Sequence, residues 1–130
     1  MRALPLLALL ISAAPAFAVG LSPMKNEGLT DGDAKGFWLT VSNPERQSRT
    51  ILVTAFSMTE ETGVSRVVII PEHLLVGPER TQRVLVIARS LQPDERFAFR
   101  VCAETPPHPE ETLHARVCSK LTAHRVRLAL

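Results

Sequence analysis

Arg96-Phe-Ala-Phe-Arg-Val-Cys-Ala-Glu104 and Leu113-His-Ala-Arg-Val-Cys-Ser-Lys-Leu121 are two alternating runs, parted by a turn that holds Thr105-Pro-Pro-His-Pro109. Phe97, Phe99 and Val101 share one parity of the first run; Leu113, Ala115 and Val117 share one parity of the second. A period of two is the mark of a half-buried strand, because successive side chains leave the pleated backbone on opposite faces. Each run carries one of the chain's two cysteines, Cys102 and Cys118. The pair reads as an antiparallel hairpin stapled across its two strands and ending at Lys120.

The same alternation extends back along the chain. Val19, Leu21 and Pro23 open a short strand that ends near the turn Gly28-Leu-Thr-Asp-Gly32. Phe37, Leu39 and Val41 alternate with Trp38, Thr40 and Ser42, and Asn43-Pro44 closes that strand. Ile51, Val53 and Ala55 alternate with Leu52, Thr54 and Phe56, a pattern of a strand covered on both faces that stops at Thr59-Glu-Glu-Thr-Gly63. Arg66 to Ile70 is a β-branched run stopped by Pro71; Leu74, Leu75 and Val76 lead into a turn at Gly77-Pro78. Val84, Val86 and Ala88 mark one more strand before Pro93-Asp94. No window sustains apolar spacing at three and four residues. The expectation is an all-β sandwich of about seven strands.

The first 18 residues read differently. Met1-Arg2 is followed by an apolar run from Leu4 to Ala14 and by Ala16-Phe17-Ala18, the basic start, apolar core and small-x-small site of a signal peptide cut after Ala18. The run is interrupted by Pro15 and falls short of the ~20 apolar residues of a membrane span. The expected mature domain is 19–130, exported and without a membrane span. Removing Arg2 takes the basic count from 15 to 14 against 13 acidic residues, with both signs interspersed, which argues against a nucleic-acid partner. In an oxidising compartment the lone cysteine pair reads as a disulfide rather than half a metal site.

Catalytic chemistry finds no foothold. His73, His108, His114 and His124 lie near no serine in a nucleophile motif, and no Gly-rich phosphate loop is present. Neither cysteine has a ligand-spaced partner, and Met24, Met58 and His73 would suit soft copper(I) only if the fold gathered them. Glu60-Glu61, Asp94-Glu95 and Glu110-Glu111 fall in predicted turns and read as solvated charge. The expectation is a non-enzyme without cofactor or metal. The final strand of such a sandwich commonly lies at a sheet margin, where its open backbone can accept another chain's strand. Leu113, Ala115 and Val117 then either face a partner or pack into the protein's own core.

Across the mature chain the sequence resembles the amino-terminal domain of PapD-like periplasmic pilus (fimbrial) chaperones. Val19-Gly-Leu-Ser-Pro-Met-Lys25 resembles that family's first strand, and Phe37-Trp-Leu-Thr-Val-Ser-Asn43 its second. Ile70-Pro-Glu-His-Leu-Leu-Val-Gly-Pro78 is similar to its Pro-containing run into a Gly turn. Asp94-Glu-Arg-Phe-Ala-Phe-Arg100 and Cys118-Ser-Lys-Leu121 resemble its acidic-Arg-x-x-Phe strand and its last strand. The resemblance implies a single Ig-like (PapD-like) β-sandwich exported to the periplasm, and donor-strand addition to an exported pilus subunit, with an outer-membrane usher as a further partner. It makes Leu113, Ala115 and Val117 the donor row, and Lys25 and Lys120 the anchors of the subunit's terminal carboxylate. The chain departs from the pattern in having Lys25 where Arg is usual, a small Ala115, and Thr122-Ala-His-Arg125 where an aromatic-Arg-Pro linker would lead to a second Ig-like domain. The alternative is a single-domain interaction module or homodimer without subunit binding.

Overall fold

The computed structural model describes Ala3, residues 19–106 and residues 116–127. The other residues of the expected signal peptide, and Leu113 and Ala115 of the expected donor row, lie outside the described residues. Nine strands appear among the described residues: β1 (Gly20–Ser22), β2 (Lys25–Thr30), β3 (Lys35–Ser42), β4 (Arg49–Phe56), β5 (Val67–Ile70), β6 (His73–Val76), β7 (Thr81–Ala88), β8 (Arg96–Glu104) and β9 (Arg116–Arg125). They form a four-stranded sheet in the order β1-β3-β7-β5 and a five-stranded sheet in the order β2-β9-β8-β4-β6.

The architecture is the expected sandwich, with nine strands instead of about seven. The difference lies at two prolines. The run read as one first strand is two, β1 in one sheet and β2 in the other, with Ser22-Pro23 between them. Ile70-Pro71 likewise separates β5 from β6, and Leu74 to Val76 is strand rather than a lead into a turn. Proline has no N–H to donate, so a ladder ends there and the chain is free to cross to the facing sheet. Both X-Pro bonds are cis.

The inward parity is the one the alternation marks. Phe37, Leu39, Val41, Val84, Val86 and Ala88 project from the four-stranded sheet, and Ile51, Val53, Phe99, Val101, Leu121 and Ala123 from the other. Phe99 lies at the centre, edge-on to Phe37 at 6.2 Å and stacked on Phe97 at 5.1 Å. Gly28, read as part of a turn, is inside β2: a Cβ there would come within 3.0 Å of the Phe37 ring and 2.5 Å of Lys35 Cε. Glycine lets β2 lie close over the core and pair with β9 as far as Thr30↔Arg125.

Asn43, at the end of β3, is buried and fastens the sheets together. Its Nδ2 donates to the carbonyls of Gln47 (2.8 Å), Val76 (3.0 Å) and Gly77 (3.1 Å), while Oδ1 accepts from the Glu45 N–H (3.1 Å). A side-chain amide carries both the NH2 and the carbonyl oxygen that this arrangement uses.

Candidate functional site

The hairpin that opens the sequence reading is the centre of the candidate site. β8 and β9 pair antiparallel with Cys102 opposite Cys118, Ala103 opposite Val117 and Glu104 opposite Arg116. The two cysteines are joined in a disulfide on the outer face of the five-stranded sheet. Arg116 Nη2 lies 3.4 Å from Cys102 Sγ. Arg116 and Arg100 also converge on Glu61, at 2.7 and 3.1 Å, and their guanidinium carbons lie 4.5 and 5.9 Å from the Phe56 ring centre. Arg100 further donates to the carbonyls of Ser57 and Glu60. Glu61 is therefore a tie between the 59–63 turn and the hairpin, not free turn charge. The hydrogen bonds from Arg116 and then Arg100 hold its carboxyl below the usual carboxylate range.

β9 is not a sheet margin along its length. From Lys120 to Arg125 it lies between β8 and β2, with β2 running parallel to it and Lys25 as the Cα partner of Lys120. The Lys120 N–H donates to Met24 C=O at 2.9 Å, and the buried Ser119 hydroxyl donates to Pro23 C=O at 2.6 Å. Upstream, β1 has left for the other sheet. Among the described residues, Arg116 to Ser119 thus have β8 on one side and no strand on the other. The open edge ends at the two lysines.

Lys25 and Lys120 are both exposed, and neither has an acidic partner among the described residues. Side chains at partnered positions of a parallel pair leave on the same face, so two uncompensated ammonium groups sit side by side. Val117 is half-buried and packs against the core cluster, in the inward parity shared by Ser119 and Leu121. Asn43 and Ser119 escaped the sequence reading as structural pins. Asn43 closing a strand was visible, but the three carbonyls it reaches were not.

No protein-family model and no curated protein matches the sequence. Solved structures do match the fold. The E. coli chaperone DraB aligns with a TM-score of 0.68 at 17% identity, over 84% of this chain and 55% of that chain. A chain of Salmonella enterica SafA pilin in complex with the SafB chaperone aligns at 0.69 and 19% identity, over 87% of this chain and 57% of that one. The PapD-like domain 7 of human CEP192 aligns at 0.69 and 12% identity, over 99% of both chains. The chain spans a little over half the length of the bacterial structures it matches. It is structurally similar to the amino-terminal domains of PapD-like pilus chaperones, and its fold is the Ig-like, PapD-like sandwich. Because bacterial chaperones and a human domain share that fold, fold by itself does not select an activity.

Proposed function

We propose that this chain is a periplasmic, non-catalytic protein that binds an exported pilus or fimbrial subunit by strand addition at the open edge of β9. The observation that carries the reading is the register of Lys25 opposite Lys120 at the point where that edge ends. β2 runs parallel to β9, so a subunit strand laid along Arg116 to Ser119 in the same sense is collinear with β2. Its carboxyl terminus then arrives at the two lysines. Two charge-assisted contacts to a terminal carboxylate fix the register, and a slip of one residue would turn every side chain to the wrong face. Lys25 in place of arginine supplies a point charge rather than a bidentate fork, which weakens the anchor. Val117, continuing upstream to Ala115 and Leu113, supplies the donor row.

Two further points support the reading. Neighbours in fold come from the complex of SafA pilin with the SafB chaperone and from the CsuC-CsuE chaperone–tip adhesion subunit complex of Acinetobacter baumannii. The disulfide suits an oxidising compartment such as the periplasm. An outer-membrane usher would be the next partner in such an assembly. A second reading, a single-sandwich interaction module without subunit capture, rests on the match over 99% of both chains to the human domain.

Co-purification with candidate subunits, comparing the wild-type chain with Lys120→Ala and Val117→Asp, separates the two. Lys120→Ala is expected to lower capture by about tenfold with native circular dichroism retained, and Val117→Asp to abolish it; because Val117 packs on the core, Val117→Asp is scored only where its urea midpoint shows it folded. Absence of capture by the wild-type chain, or equal capture by all three, removes the subunit-binding reading.

A further inference from the structure

The outer face of the four-stranded sheet carries a patch that subunit capture does not use. Trp38, Leu85 and Ile70 are register partners across β3, β7 and β5, the last strand of the sheet, and Trp38 and Ile70 are each 54% exposed. Ile87 and Val68, partners in the next row, are half-buried on the same face. Apolar side chains left in water over three neighbouring strands form a contiguous patch, which marks a docking surface where scattered residues would not. From Leu85 to Ala88 the β7 backbone is paired with β3 on one side and β5 on the other. The centre of this face therefore offers side chains and no free backbone, so strand addition does not suit it.

Charge narrows the partner. Lys35 and Arg83 are the charged residues of β1, β3, β5 and β7, and none of these strands holds an acid. Arg83, Leu85, Ile87 and then Arg89, just past β7, share the outward parity, so two arginines roughly 20 Å apart bracket the apolar row. Both are exposed, and neither has an acidic partner among the described residues. The Arg83 guanidinium carbon lies 4.3 Å over the Trp38 ring, and Arg89 reaches the Ser65 carbonyl at 3.4 Å. The other sheet mixes both signs, as in the pairing of Arg96 with Glu27. A second copy laid face to face would set arginine against arginine with no carboxylate to answer it, which disfavours self-association here.

We infer that this face rests on an anionic phospholipid surface. Phosphate oxygens there accept charge-assisted hydrogen bonds from Arg83 and Arg89. Trp38 settles at the level of the headgroups, which suit an indole with an apolar ring and a polar N–H, while Leu85 and Ile70 meet the start of the acyl chains. Only the side chains of one sheet face enter the interface, so attachment is peripheral, reversible and dependent on lipid charge. β9 and its two lysines belong to the other sheet, so the assignment is independent of subunit capture.

Trp38 is the chain's single tryptophan and there is no tyrosine, so its fluorescence reports on this face alone. Vesicles of phosphatidylcholine, alone or mixed equally with phosphatidylglycerol, test the assignment by co-sedimentation and by Trp38 emission. The mature chain should bind the mixed vesicles, with its emission shifted to the blue and quenched by brominated acyl chains. Binding to phosphatidylcholine alone, or to the mixed vesicles at high salt, should be weaker by about tenfold or more. Arg83→Ala and Arg89→Ala should each weaken binding by about fivefold. Ile70→Asp, at an exposed position, should abolish it while the circular dichroism spectrum stays native. Lys120→Ala, on the other sheet, should leave it unchanged within about twofold. Mixed vesicles that leave Trp38 emission unmoved overturn the proposal, as does a loss in Lys120→Ala equal to that in Arg83→Ala. A blue shift that grows with protein concentration in the absence of vesicles gives the face to a second copy and overturns it too.

Discussion

Glu95 accepts three hydrogen bonds at the turn between β7 and β8. Arg66 gives two of them, at 2.8 and 3.0 Å, and the Gln92 N–H gives the third at 2.9 Å. Arg66 is held in place by the carbonyls of Arg89 and Ser90, and its guanidinium carbon lies 4.1 Å over the Phe97 ring. The Arg66 hydrogen bonds, then the Gln92 N–H, lower the carboxyl of Glu95 to about 2. A depressed carboxylate adds stability that is complete above its unfolded value of 4.5 and is lost as pH falls toward 2. Glu95→Gln should therefore cost on the order of 1–2 kcal/mol at neutral pH, discounted for partial solvent access. The difference from the wild-type chain should vanish as the acid limit of that window is reached, and urea unfolding at several pH values reads both effects. A variant equally stable at neutral pH would make the ion pair a surface ornament. Reading the Asp94-Glu95 and Glu60-Glu61 pairs as solvated charge failed at Glu95 and Glu61 because their arginines are remote. Arg66 is 29 residues from Glu95, and Arg116 is 55 from Glu61.

The β8–β9 hairpin is the element in which stability and proposed function meet. Its disulfide closes a loop of 16 residues and holds the amino-terminal half of β9, the half with no β2 beside it, against β8. In the chain-entropy account a loop of that length is worth about 3 kcal/mol. Replacing Cys102 and Cys118 together by alanine should lower the urea midpoint accordingly. It should also increase amide exchange at Arg116 to Ser119 more than at Leu121 to Arg125, where β2 still pairs. Uniform exchange along β9 would mean that the staple does not single out the open edge. The cysteine pairing was legible in the sequence because two matched alternating runs and one turn place it. The interior position of the strand's second half was not. A strand's own pattern shows which faces are buried but carries no mark of a neighbour that arrives from nearly a hundred residues away.

At the scale of the molecule, the two open edges lie on opposite margins, β9 with β2 and β1 on one side, β5 with β4 and β6 on the other. Sites held apart by a packed core with no shared partner are expected to act additively. Glu72→Arg, on the margin away from β9, should therefore leave subunit capture unchanged within about twofold. A loss of capture in Glu72→Arg, measured on the same subunit, would show that the margins are coupled. Alternation along the chain marks the strands of the core, their buried faces and the cysteine pairing. These are local properties, since a pleat of period two writes burial directly into the alternation of Phe37 to Val41, Ile51 to Ala55 and Val84 to Ala88. Long-range contacts alone set the crossing of the runs broken at Pro23 and Pro71 between sheets, the pairing of Lys25 with Lys120, and, among the described residues, the open edge of β9 from Arg116 to Ser119. Strand neighbours depend on contacts between distant segments. Alternation leaves those contacts unspecified, and here they follow from where each proline ends its ladder and which sheet the chain joins next.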